Sequence, residues 1–104
     1  MSIFVLEAPG SVTVRSINQF SQDLLAAVET HDEVIFDLSN VSEMDLSLVQ
    51  VIEAARAHSL HKSGSLRLSE PAGAGVTALL DRAGFLTDAE PADLDFWFHG
   101  SAPQ

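Results

Sequence analysis

Asp45 and Ser47 stand two residues apart in SEMDLSLVQ (Ser42–Gln50), one carboxylate and one hydroxyl with Leu46 between them. The apolar run EVIFDLSNV precedes this stretch, and VIEAARAHSL, which has helical character, follows it. It therefore sits where a strand hands over to a helix, a junction that carries the function in many α/β proteins. Two chemistries fit the pair. Asp45 can cap the helix, accepting from the amide of Ser47 or Leu48 and complementing the helix dipole. Ser47 can instead present a phosphoacceptor hydroxyl at the helix start, where free amides would stabilise an added phosphoryl group. Nucleophilic catalysis by Ser47 would need a base, and no histidine lies nearby in the chain.

Other residue types offer less. Asp37 and Asp45 could serve as an acid–base pair if buried together. His58 and His61 can share a helix face, but a metal site needs more ligands than these two. His31 and His99 fall in a turn and near the tail. GAGVT (Gly73–Thr77) precedes a helix but completes neither the Walker nor the dinucleotide pattern. Trp97, between Phe96 and Phe98, reads as a packing residue. No enzymatic motif stands out, and we expect no catalysis, no cofactor and no metal.

These residues must be positioned by a run of short elements. Ile3–Glu7 reads as a strand with Pro9-Gly10 turning after it, which allows an antiparallel edge pairing with a second strand at Val12–Arg15. Ile17, Phe20, Leu24, Ala27 and Val28 share one face of a first helix, and Ser16 with Gln19 fits a capping box. Glu33–Leu38 reads as a central strand buried on both faces. Leu48, Val51, Ile52 and Ala55 form the core stripe of a second helix that stops near Gly64. Ser65–Ser69 reads as a strand, and Val76, Leu79, Leu80 and Ala83 define a third helix. That helix closes at Gly84 in the left-handed position, with Phe85 as the accompanying apolar contact. DAEPAD reads as an acidic turn, LDFWF as a last strand or extended tail, and 99–104 as a frayed end. The alternation predicts one α/β domain over residues 1–104, with a mainly parallel sheet and right-handed crossovers.

Composition narrows the function. The 104 residues carry 15 acidic against five basic side chains, a formal net charge of −10. Nucleic acid and anionic lipid would be repelled, which favours a protein partner with a basic or mixed face; the alternative reading is that the charge only keeps a small protein soluble. There is no cysteine, so thiolate catalysis and disulfides are excluded, as suits a cytoplasmic protein. No apolar stretch reaches the 18 or more residues of a membrane span, so no direct membrane insertion is expected. The N-terminal MSIFVLEAPG lacks a basic n-region.

VIFDLSNVSEMDLSLVQVIEAAR, followed by LRLSEP and VTALLDRAGFL, resembles the STAS domain, the fold of bacterial anti-sigma-factor antagonists. The likeness runs from about Val12 to Leu86. It implies a mixed, mostly parallel sheet of four to five strands flanked by helices. In that family the residue after the motif aspartate is the phosphoacceptor. Here it is Leu46, which cannot take phosphate, while Ser47 matches the second hydroxyl position and Leu48 replaces the motif glycine. The D-L-S form and the Trp-containing end resemble single-domain members encoded with bacterial chemotaxis genes. STAS subunits of lipid-transport ABC complexes are a third branch.

The resemblance implies a non-enzymatic regulator in signal transduction. Its partner would be a kinase-like anti-sigma factor or a chemotaxis component, bound through the 42–50 loop and the outer face of the second helix. The contacts expected there are Glu43, Met44, Asp45, Leu46, Ser47, Gln50, Glu53 and Arg56. Two alternatives stay open: a switch phosphorylated at Ser47, or a subunit of a lipid-transport complex.

Overall fold

A computed structural model describes residues 3–61, 64–87 and 89–99. The elements run β1 (Ile3–Glu7), β2 (Ser11–Val12), α1 (Ile17–Thr30), β3 (Glu33–Asp37), β4 (Glu43–Met44), α2 (Leu46–His61), β5 (Ser65–Leu68), α3 (Ala74–Arg82) and α4 (Pro91–Phe98). The five strands divide into a three-stranded sheet, β1-β3-β5, and a two-stranded one, β2-β4. Every described pairing is parallel. The Pro9-Gly10 turn does not close a hairpin: β2 crosses to β4, and of the expected strand Val12–Arg15 only Val12 pairs, together with Ser11 before it.

The strand order of the larger sheet explains where the helices lie. β1, β3 and β5 are added in one direction, and right-handed crossovers then put α1 and α2 on the same face. The register aligns Phe4, Val34 and Leu66 in one row and Leu6, Phe36 and Leu68 in the next. Val34, Phe36 and Leu68 are fully buried. The opposite rows hold Ile3, Glu33 and Ser65, then Val5, Ile35 and Arg67. There Ile3 and Val5 stay 56% and 55% exposed. β3 is central as its composition predicts, but it alternates buried and half-buried residues and is covered on one face only. The continuous apolar run of a two-sided strand misleads here, because Ile35 belongs to the open side.

The core is filled by the α1 stripe Phe20, Leu24, Ala27 and Val28, and from α2 by Leu48, Val49, Ile52 and Ala55. Phe20 stacks on Phe36 with ring centroids 5.1 Å apart, a geometry that aromatic pairs favour. Ser16 does not form the expected capping box. Its own backbone is already helical, so its hydroxyl turns back, accepting from the Thr13 amide and donating to the Ser11 carbonyl. Gln19 bonds Asp23 instead.

Two endings were legible. α3 closes on Gly84 at φ 82°, with the Phe85 amide on the Leu80 carbonyl and the Gly84 amide on that of Asp81, the double bond of a Schellman turn. Phe85 itself is 37% exposed, and Leu86 supplies the packing against the core. Gly64 returns its amide to the Ser59 carbonyl. Its size is set by Ser59, whose Oγ would lie 3.2 Å from an added Cβ.

The C-terminal segment differs most from expectation. LDFWF is neither strand nor extended tail but the body of α4, which buries Phe96, Trp97 and Phe98. The start is written as a helix start: Pro91 takes the first position, and Asp93 accepts from the Glu90 amide at 3.1 Å. His99 ends the helix in the left-handed region at φ 53°, and a ring nitrogen lies 2.9 Å from the Leu68 carbonyl. The frayed end expected from residue 99 therefore does not include His99; residues 100–104 lie outside the described residues.

Phe36→Ala should cost about 3–5 kcal/mol, because a fully buried ring leaves a cavity behind. Leu60→Ala, at a side chain 69% exposed, should stay within about 0.5 kcal/mol. Urea unfolding of the two variants beside the parent chain checks both values.

Candidate functional site

The site is assembled where β4 gives way to α2. β4 is held from outside by β2: the Ser42 and Glu43 amides donate to the Gly10 carbonyl, and the Asp45 amide to that of Val12. The Ser11 hydroxyl reaches Glu43 Oε1 at 2.7 Å. Asp45 is thereby fixed just ahead of the first helical residue, where a short carboxylate caps well. Its Oδ1 accepts from the Ser47 amide at 3.0 Å and from the Ser47 hydroxyl. Its Oδ2 accepts from the Val14 amide at 2.9 Å. One side chain therefore closes the helix and pins the 13–16 turn against it. The Ser47 hydroxyl, then the Val14 amide, hold the Asp45 carboxyl below the usual carboxylate range.

The arrangement shows the first of the two chemistries directly. Asp45 caps. The Ser47 hydroxyl is already spent on that cap, and Ser47 is half-buried. A phosphoryl group there would set close to −2 charge against the carboxylate it now touches, so it would have to break the clamp. The geometry also separates Asp37 from Asp45. Asp37 is held below the usual range by the Ser39 hydroxyl and amide and lines a hollow with Glu70 and Val76. Asp45 lines a different hollow, facing Leu79 and Arg82. They form no acid–base pair.

The expected contact residues fall into two groups. Glu43, Leu46 and Gln50 are exposed together at the start of α2, and Met44, Asp45 and Ser47 lie half-buried beside them. Leu46 is 41% exposed, while its neighbours Leu48 and Val49 are fully buried. Met44 does not form an exposed pair with Leu46; it lies under α3, where a Cβ on Gly75 would come within 3.0 Å of Met44 Cε.

Glu53 and Arg56 do not join this surface. Arg56 bonds Asp93 at 2.9 Å and Glu53 at 3.3 Å, and its guanidinium lies 4.8 Å from the Phe96 ring centroid. The Trp97 indole donates to Glu53 at 3.4 Å. Both side chains clamp α4, so the outward face of α2 continues from Gln50 through Ala54 and Ala57 instead. The sequence could not show this, because LDFWF gave no hint of a helix that would claim the two charges.

Reasoning from the chain missed the wall that α3 contributes. Leu79, Arg82 and Ala83 face Met44, Asp45 and Leu46 across an open groove. The available signal was Gly75, whose missing side chain lets α3 approach Met44. His58 Nε2 lies 3.4 Å from Glu29 Oε1, a contact between α1 and α2. Among the described residues no group of three or more His, Cys, Asp or Glu could hold a metal ion.

A family model described as "Mlab, STAS domain" matches residues 3–87. The chain belongs to the STAS domain family. No curated protein and no solved structure is significantly similar to it. The matched residues span β1 through α3 and include the whole Asp45 clamp, whereas α4 lies beyond them. The STAS match carries with it a protein-interaction fold of the anti-sigma-factor-antagonist type. Among the described residues no helix is long and apolar enough to cross a membrane.

Two outcomes follow from the clamps. The lowered folded-state pKa values of Asp45 and Asp93 contribute stability that is present above about pH 4 and lost as the pH falls through the folded values. Asp45→Asn should therefore start less stable at pH 7 and lose less on acidification, read from denaturation midpoints between pH 7 and 3. Arg56→Ala should loosen α4 at a cost of roughly 1–3 kcal/mol, the loss of a charge-assisted bond. Trp97, the only tryptophan and 2% exposed, should then emit further to the red and be quenched more readily by acrylamide.

Proposed function

We propose that this STAS domain is a non-enzymatic regulator that binds a signalling protein through the exposed start of α2. The observation that carries the reading is Leu46: an apolar side chain held 41% exposed on a turn that the Asp45 clamp makes rigid. A pre-positioned apolar side chain ringed by polar groups can anchor a partner at low cost, since little ordering entropy is left to lose. Glu43 and Gln50 flank it and supply the polar rim. The strongly acidic chain favours a partner whose wider face is basic or mixed. A kinase-like anti-sigma factor or a chemotaxis component fits that description. Ser47 serves the cap in this reading, with Leu46 at the family's phosphoacceptor position, so binding is constitutive rather than switched at this turn.

Affinity purification with quantitative mass spectrometry tests the reading. Leu46→Asp should lose at least about 90% of the principal partner, the effect of truncating a hot spot by 1.4 kcal/mol or more. Leu60→Asp, on a distant exposed leucine, should retain it. Equal recovery by the two variants would remove the reading. A stoichiometric membrane ATPase as the partner would instead favour the lipid-transport role.

A further inference from the structure

The groove beside Leu46 has a chemistry of its own. It measures about 390 Å³ and runs between the start of α2 and the last turn of α3. Met44, Leu46, Leu79 and Ala83 give it an apolar lining, and Asp45 and Arg82 are its charged residues. The volume accommodates one bulky apolar side chain with room for its neighbours. Leu79 is 6% exposed and Leu46 41%, so the groove is apolar at depth and open above.

The charges in and around it are unequal. Asp45 lines the groove, but its carboxylate already accepts from the Val14 amide, the Ser47 amide and the Ser47 hydroxyl. Those donors are neutral, so Asp45 keeps its negative charge and confines an incoming carboxylate to the Arg82 side of the groove. Arg56 and Arg67 are paired with carboxylates. Arg82, by contrast, has no ion-pair partner among the described residues. Its position at the end of α3 complements the helix dipole, which engages the charge but leaves the planar guanidinium donors open. The unmet demand in the groove is thus one carboxylate beside one apolar side chain.

We infer that the groove takes a partner segment carrying a bulky apolar residue and, within one helical turn of it, an Asp or Glu that bonds Arg82. The apolar residue packs against Met44, Leu46 and Leu79. The carboxylate meets Arg82 in the two-pronged geometry that guanidinium offers and lysine does not. The rest of the surface repels acidic segments, so a single carboxylate at this spacing is selected over a generally acidic stretch. The inference rests on Leu46 being the binding knob and adds what that knob's partner must carry.

Selection from a random peptide library displayed on phage tests it, with the intact chain as bait. The expected result is a consensus pairing one bulky apolar position with one acidic position no more than four residues away. Binding of the consensus peptide should weaken roughly tenfold in Arg82→Glu and less in Arg82→Gln, as loss of a charge-assisted pair requires. Selection against Arg82→Glu should replace the acidic position with a basic one. Arg82 is exposed, and an unchanged circular dichroism melt confirms that its variants fold. Peptides that depend on Leu46 but not on Arg82 overturn the inference and leave the proposed binding surface standing. Peptides indifferent to Leu46→Asp overturn both. Sedimentation of the chain alone gives a further decision: a dimer abolished by Leu46→Asp would make a second copy the occupant and overturn the inference.

Discussion

A parallel sheet whose strands are added in one direction can cover only one of its faces with its own crossover helices. That constraint organises this molecule. α1 and α2 share the face of Val34, Phe36 and Leu68, while Ile3, Val5 and Ile35 are left on the other. With one face to fill, the core draws heavily on α2, whose Leu48, Val49, Ile52 and Ala55 are all buried. The direction of α2 is therefore determined by packing, and so is the place where its first turn emerges. Leu46 and Gln50 lie on the side that packing leaves over.

The Asp45 clamp converts that position into a usable surface. A helix start is otherwise a frayed place with unpartnered amides. Here one carboxylate serves the helix, the Ser47 hydroxyl and the 13–16 turn together. A second clamp works at the far side of α2, where Glu53 and Arg56 hold α4 through Trp97 and Asp93. The first turn and the middle of the helix thus have opposite duties. One presents side chains outward; the other spends its charges on the chain itself. α4 lies outside the residues that match the family model.

Much of this was visible in the amino-acid order. Apolar patterning located β1, α1, β3, α2, β5 and α3, and the Gly84 turn was named by the residue type that most readily accepts its backbone. Capping by Asp45 was one of the two roles that residue type and spacing allowed. Local chemistry determines such features, and local chemistry is what a sequence displays. The family motif likewise identified the start of α2 as the place of interest.

Tertiary structure decided what depends on residues distant in the chain. Whether β3 was covered on one face or two rested on strand order, which no single run of residues encodes. β4 is two residues long and exists because β2 is beside it. The fate of Glu53 and Arg56 hung on a helix whose three consecutive aromatics, Phe96, Trp97 and Phe98, look strand-like until packing buries all of them. Which partner the Ser47 hydroxyl takes was likewise open in the sequence; in the fold it is Asp45. The sequence by itself determined most of the helices and strands, though not β4 or α4, and pointed to the turn where the candidate site lies. Only the packed chain decided which side chains remain free to act there, because freedom is set by neighbours that the sequence places far away.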